Sequence, residues 1–239
     1  HPGRAFFSPV EMSYQAPFVD AATSVDPQNK ENTFISYYSY GSVLGLALDL
    51  SLRNLDGDKN LDDFMKLMWQ EFGKPEVPYT NRDIETTLGE YAGKEFASDF
   101  FNKYIYDSQM PDYVTLLASV GVNFGKANPG KAVLGTNIRI EDGVGVLRSN
   151  AIKGSPIYEA GIESTDEIIS VAGTKLSSIS EVEDILRDYE PGEEIEITFH
   201  RWNEEKTVRV TLAEDPSFKT DMNSGADDAQ RKKRSAWLK

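Results

Sequence analysis

The spacing of apolar residues changes character once along this chain. From residue 34 to residue 121 they recur at helical intervals; from Val122 onward they gather into short β-branched runs. In the first stretch Val43, Leu44, Ala47, Leu48, Leu50 and Leu52 fill nearly every side of their helix, as expected in the middle of a helical layer. Asn60 is the predicted cap of a helix from Leu61 to Phe72, with Asp62 and Asp63 in its first turn and Gly73 as its stop. Thr80 followed three residues later by Asp83 predicts a capping box for Asp83 to Tyr91, and Phe96, Phe100, Phe101, Tyr104 and Ile105 make an aromatic face on the next helix. Pro111, at a first-turn position, starts a last short helix ending near Gly121. Residues 1 to about 30 hold Pro, Ser, Asp and aromatics without a sustained period, which reads as loop with one short helix near Ala21.

The second stretch predicts strands at Val133 to Ile140, Val144 to Ser149, Glu167 to Ala172, Glu194 to Arg201 and Thr207 to Leu212. Turn signals stand at Asp142-Gly143, Ala172-Gly173 and Pro191-Gly192, and one helix, Ile179 to Tyr189, lies among the strands. The passage Lys126-Ala127-Asn128-Pro129-Gly130 is a natural boundary. The fold class is therefore multi-domain, α then α+β: a helical part at residues 1–125, a small strand-rich domain at 130–213, and a polar tail at 214–239 outside any strand pattern. In the tail, residues 224–228 read as a flexible link and Ala229 to Leu238 as one helix. Its basic run, Arg231 to Arg234, reads as a solvated face, with Trp237 and Leu238 placed to pin the end onto the body.

Charge and composition narrow the function. A formal charge of −14 over 239 residues repels nucleic acid and anionic membranes, so neither is an expected partner. The longest apolar run, residues 43–52, is interrupted by Asp49 and reaches about half the roughly 20 residues a membrane-spanning helix needs. With no cysteine there is no disulfide framework and no thiolate nucleophile, which leaves the compartment open. Asp56-Gly57-Asp58-Lys59-Asn60 imitates the start of a calcium loop, but Leu61 and Leu67 occupy positions that require Gly and Glu. No G-x-S-x-G elbow exists.

The most chemically suggestive feature is Ser36-Tyr37-Tyr38-Ser39-Tyr40-Gly41, directly before the apolar helix. Phenols there would meet first-turn backbone N–H groups, a place suited to an anion or oxyanion. Packing, with a hydroxyl satisfied internally, is the structural alternative.

Two resemblances give these patterns a context. Gly154-Ser155-Pro156-Ile157-Tyr158-Glu159-Ala160-Gly161-Ile162, then Asp166-Glu167-Ile168-Ile169-Ser170-Val171-Ala172-Gly173, resembles the bacterial PDZ domain, with Thr165 where Gly is usual. The resemblance covers roughly residues 130–213. It implies that an extended peptide adds as a strand beside one helix, its C-terminal carboxylate held by backbone N–H groups. The matching peptide-binding loop is Leu134, Gly135, Thr136, Asn137 and Ile138, where Thr136 and Asn137 replace residues that are usually apolar. A purely structural or docking PDZ is the other reading.

The helical half, through Phe34 to Gly41, Leu46 to Arg53, Leu61 to Met65, Met68-Trp69, Pro2-Gly3-Arg4 and Phe100 to Ile105, resembles the glycyl aminopeptidase family. These are PDZ-bearing, thermolysin-like zinc peptidases related to aminopeptidase N. The resemblance implies hydrolysis of an N-terminal Gly- or Ala-type residue by zinc-bound water, with a Y-x-x-G tyrosine hydrogen-bonding the oxyanion opposite the metal. The matching catalytic residue is Tyr38, with Tyr37 as runner-up; Tyr40 stands where Lys is common in the family. The family binds zinc through H-E-x-x-H and a downstream Glu, yet the only histidines are His1 and His200. The expectation is that this chain binds no metal, that zinc and the general-base Glu lie upstream in a longer protein, and that this C-terminal portion is inactive alone. Its partners are then a peptide substrate, the upstream catalytic half and a C-terminal peptide at the PDZ. The resemblance favours a periplasmic or secreted location. The alternative is a non-catalytic PDZ peptide-binding or scaffolding protein.

Overall fold

The computed structural model describes residues 1–19, 29–141 and 143–239, with residues 179 and 180 through their backbone alone. The helix expected near Ala21 and the turn residue Asp142 lie outside the described residues. The chain divides into two compact units, one holding residues 3–19, 34–125 and 220–239, the other residues 1–2, 29–33 and 126–219 among the described residues. Among the described residues no helix is long and apolar enough to cross a membrane.

The first unit is helical. After a single 3-10 turn, Pro2–Ala5, comes α1, Pro9–Val19, where the sequence reads as loop. This corrects the expectation for residues 1–30. Ser8 caps α1: its N–H and hydroxyl donate to Glu11 Oε2 at 2.7 and 2.8 Å, while Glu11 N–H donates to Ser8 Oγ at 3.4 Å. Pro9 takes the first helical position. Only Pro9, Met12 and Ala16 are buried, so α1 has no broad apolar stripe to betray it.

In the other unit lies a one-turn helix, α2, Lys30–Thr33. The first unit resumes with α3, Tyr37–Arg53, which begins six residues before the apolar stretch starts. The tyrosines therefore lie in the helix, not before it. α3 buries Tyr40, Leu44, Ala47, Leu50 and Leu52, whereas Val43 is exposed. The charged interruption, Asp49, is buried because it has two partners. Its Oδ1 accepts the Leu61 N–H at 2.9 Å and its Oδ2 accepts Arg53 Nε at 3.0 Å.

That contact fixes the start of α4, Leu61–Met68, capped by Asn60 through the Asp63 N–H and prolonged by a π turn, Trp69–Gly73. α5, Asn81–Ala92, carries the expected Thr80/Asp83 capping box, and α6 is Lys94–Tyr104. α7, Tyr113–Ala118, is capped by Asp112, whose Oδ1 accepts the Thr115 N–H at 3.1 Å. Pro111 therefore precedes the cap and does not begin the helix.

β1, Val122–Lys126, pairs with a strand from the tail. The other unit contains β2 (Ala132–Val133), β3 (Ile138–Glu141), β4 (Val144–Leu147), α8 (Pro156–Glu159), β5 (Glu167–Val171), β6 (Thr174–Lys175), α9 (Ile179–Leu186), β7 (Glu194–Arg201), β8 (Glu204–Thr211) and β9 (Ala213–Glu214). Its main sheet runs β3-β4-β5-β7-β8, with β6 on β5 and a separate β2-β9 pair. The run expected as one strand from Val133 to Ile140 is thus two strands, broken at residues 134–137. Ala172-Gly173 and Trp202-Asn203 both have positive φ and close two-residue hairpins, the second starting β8 earlier than the Thr207 expected.

The core of this unit includes Leu134, Ile138, Ile157, Ile168, Ile197 and Phe199. Asp166 is wholly buried among them, yet it is paired twice with Arg201, Nε to Oδ1 at 2.7 Å and Nη2 to Oδ2 at 2.5 Å, and accepts the Glu163 N–H at 2.8 Å. Residues 29–33 belong here through Asn32, buried, whose amide donates to the Ala151 carbonyl at 3.1 Å and accepts the Lys153 N–H at 2.8 Å.

The tail is not free of strands. β10, Phe218–Met222, pairs with β1, and every one of its residues is exposed, so backbone pairing makes it without an apolar alternation. α10, Asp228–Trp237, follows. Its basic residues are not merely solvated: Arg234 Nη1 donates to the Gly121 carbonyl at 2.8 Å, and Lys233 Nζ to Asn54 Oδ1 at 2.9 Å, just past the C-terminal ends of α7 and α3. Trp237 packs beside Leu50, Leu117 and Val120, whereas Leu238 is exposed.

Candidate functional site

The two units each carry a candidate site, and they are built differently. In the helical unit the three tyrosines of α3 have three fates. Tyr38 is 71 % exposed, Tyr37 is 44 % exposed, and Tyr40 is buried at 7 %. The Tyr37 and Tyr38 rings lie against each other, centroids 4.3 Å apart and tilted 31°. The first turn of α3 has no side-chain cap from Ser36. Tyr38 therefore presents an exposed phenol from the entrance of α3, its ring against that of Tyr37.

Tyr40 performs a different task. Burial raises its pKa, partly countered by the neighbouring Arg4 guanidinium, and its hydroxyl makes no hydrogen bond of ordinary geometry. Tyr113 is pushed up to about 12 by burial and donates to the Val43 carbonyl at 2.9 Å, tying α7 to α3. These two remain neutral phenols at any ordinary pH.

The second site surrounds residues 134–138. All five residues line a cavity of about 700 Å³, closed on the other side by Val182, Leu186 and Tyr189 in and after α9. Leu134 and Ile138 are buried in the core and anchor the loop ends; Asn137 is exposed; the Thr136 hydroxyl is buried with no partner. Gly135 has φ +76°, and a Cβ there would sit 2.6 Å from the Ser155 Cβ, so only glycine fits. The Leu134 and Asn137 carbonyls accept from Ile157 and Arg148, whereas the Gly135, Thr136 and Asn137 N–H groups meet no acceptor among the described residues. Successive unpaired N–H groups about a left-handed residue make a nest for an anion. β3, which continues the loop, is an edge of the sheet, so its outer side is open to a further strand.

Charge around the groove is mixed. Lys131, Arg148 and Arg187 line it together with Glu183 and Asp215. The Ser217 hydroxyl and N–H, and then the Asn128 amide, hold the Asp215 carboxyl down to about 2.

Among the described residues no three His, Cys, Asp or Glu side chains gather to hold an ion, and His200 lies on β7 between Glu167 and Glu205 at 4.0 and 3.8 Å. The side chains present do not fit the zinc that the sequence resemblance implies. The helix expected at Ile179 to Tyr189 forms the groove wall as α9, whereas a cavity beside Tyr37 was not anticipated. A signal for that cavity was available in the Ser8-Pro9-Val10-Glu11 cap, since α1 forms one of its walls.

Comparison with known proteins agrees with this architecture. The PDZ domain family matches residues 119–212. A probable periplasmic serine endoprotease, DegP-like, from Chlamydia trachomatis serovar D is 25% identical over 138 residues, which is 57% of this chain and 27% of that protein. The crystal structure of an aminopeptidase N family protein from Idiomarina loihiensis superposes with a TM-score of 0.82 and 25% identity, over 99% of this chain and 41% of that one. The chain thus spans well under half the length of either. It carries a PDZ domain behind a helical unit, in the fold of that aminopeptidase N family protein.

Proposed function

We propose that this chain is the C-terminal portion of a zinc metallo-aminopeptidase of the glycyl aminopeptidase type, removing N-terminal Gly- or Ala-type residues from peptides. The observation that carries this reading is the likeness of nearly the whole chain to less than half of an aminopeptidase N family protein, with Tyr38 exposed at the entrance of α3. Tyr38, its ring against that of Tyr37, donates its hydroxyl to the oxyanion that forms at the scissile carbonyl. Zinc and the general base belong to residues outside this sequence, which is why this chain by itself is inactive. The DegP-like relative is named as periplasmic, which supports an envelope location here.

The test is Tyr38→Phe in the complete enzyme. Loss of one oxyanion donor should lower kcat about 100-fold or more with KM little changed. Equal kcat in mutant and parent removes Tyr38 from the mechanism, and a drop confined to Tyr37→Phe transfers the role to Tyr37.

The nest at residues 135–137 favours a second reading, in which the PDZ captures peptides whether or not the protein is an enzyme. An extended peptide would lie along β3, its C-terminal carboxylate on those N–H groups. Micromolar binding weakened by amidating that carboxylate is the expected result. Absence of binding across a C-terminal peptide library would leave the PDZ a structural module.

A further inference from the structure

The outward face of β3 carries opposite charges in a fixed order, Arg139 and then Glu141. We propose that this order selects C-terminal peptides with an acidic residue next to last and a basic residue two positions before it. The proposal rests on the second reading above, peptide capture along β3, and names which peptides the groove takes.

Three observations converge. The first is direction. A carboxylate held on the Gly135, Thr136 and Asn137 N–H groups lies at the beginning of β3, Ile138–Glu141. The rest of the peptide then runs along the open edge of that strand towards Glu141, opposite in sense to β3. Its last residue falls beside Ile138, the one before it beside Arg139, and the fourth from the end beside Glu141.

The second observation is face. Ile138 is buried and Ile140 half-buried, whereas Arg139 and Glu141 are exposed, and the pairing of β3 with β4 runs through these four residues without a bulge. Residues directly opposite one another in an antiparallel pair share a face of the sheet. The last peptide side chain therefore turns inward, to the apolar side of the groove at Leu134, Val182 and Leu186. The next-to-last and the fourth from the end turn outward, to Arg139 and Glu141.

The third is charge. Arg139 Nε lies 2.9 Å from Glu141 Oε1, and both side chains remain about half exposed, open to a further partner. Arg148 adds a second cation at the loop end. It is exposed, follows the last residue of β4, and donates its backbone N–H to the Asn137 carbonyl at 2.9 Å. Charge along the outward face thus runs from positive near the nest to negative at the far end of β3. An acidic side chain next to last would lie beside Arg139 and Arg148, where a basic one would face like charge; beside Glu141 the preference is the reverse. Opposite charges across a strand pair stabilise it and like charges destabilise it, so the order of two charges in the peptide decides its affinity.

The test is calorimetry on this chain with four peptides: acetyl-Ala-Ala-Lys-Val-Glu-Val, its exchanged form acetyl-Ala-Ala-Glu-Val-Lys-Val, the uncharged acetyl-Ala-Ala-Gln-Val-Gln-Val, and the first peptide amidated at its C-terminus. The first two carry the same charges, so the formal charge of −14 acts on both alike and only position differs. The first should bind about five-fold or more tightly than the exchanged form, with the uncharged peptide between them, and the gap should narrow in about 0.5 M salt. Exchanging the strand's own charges, Arg139→Glu with Glu141→Arg, should reverse the order. Arg148→Gln should narrow the gap, and serves alone should the double variant fail to fold. Equal affinities for the first two peptides, a tighter exchanged form, or an order and gap unchanged in these variants overturns the proposal; if amidation still weakens binding, the groove reading stands without it. Binding indifferent to amidation, or none by any peptide, overturns the groove reading and this proposal with it.

Discussion

The groove at residues 134–138 and the tyrosine helix α3 place opposite demands on the chain. The groove works through backbone. Three N–H groups, one left-handed glycine and a free sheet edge come from a single short segment, and its opposite wall, α9, belongs to the same unit. Successive N–H groups without an acceptor among the described residues stand there beside an open sheet edge. α3 instead offers one phenol, and the metal ligands and base that would give it a reaction do not gather among the described residues. A binding loop is local to one segment, whereas a catalytic site draws its groups from distant segments.

The comparison breaks most sharply through the buried carboxylates. Asp166 holds the groove unit through Arg201, and Asp49 holds the helical unit through Arg53 and the Leu61 N–H. Asp166→Ala leaves Arg201 without its partner in a site where Asp166 is fully buried, and should cost about 3–5 kcal/mol, read by urea denaturation. Asp49→Ala should cost less, about 2–3 kcal/mol, because both side chains of that pair keep some solvent. Equal small losses below about 1 kcal/mol would mean that neither pair forms in solution.

A smaller change separates binding from folding. Gly135→Ala puts a methyl 2.6 Å from the Ser155 Cβ at a φ of +76°, so peptide affinity by calorimetry should fall about ten-fold or more. The helical site should behave oppositely. Tyr38→Phe should leave stability within about 0.5 kcal/mol, since Tyr38 is mostly exposed. Tyr40→Phe should be neutral or stabilising, since it removes a buried hydroxyl without a hydrogen bond. A loss above about 1 kcal/mol would show that Arg4 binds that hydroxyl in solution.

What the sequence disclosed follows the same division. Caps at Asn60 and Thr80, the hairpin Ala172-Gly173 and strand Glu194–Arg201 are local signals and appear where expected. α1 was missed because three buried positions in eleven make no stripe, although Ser8 and Glu11 announced its cap. β10 was missed because an all-exposed strand has no alternation to read. The start of α3 was misplaced because its first turn is tyrosine and serine, not aliphatic. The residues expected as the PDZ loop, 134–138, lie together along the groove because they are one contiguous segment turned at Gly135, which has positive φ. The cavity beside Tyr37 was not legible, because it arises from five helices, α1, α3, α4, α5 and α6, that only tertiary packing brings together.

The smallest expected effect concerns the rim of the groove. Asp215 accepts from Ser217 and Asn128, and these bonds lower its pKa from 3.8 to about 2. A carboxyl held down in the folded state contributes stability above the unfolded value, and that contribution disappears as pH falls through the folded one. Asp215 should therefore stay charged wherever the protein is handled, and its influence on peptide binding should be flat from about pH 4 upward. An NMR titration of its carboxyl carbon should show a midpoint near 2, moving upward in Ser217→Ala. A midpoint near 4 in the parent would mean that the Ser217 turn is not closed in solution, and that this side of the groove is less preorganised than the nest at Gly135.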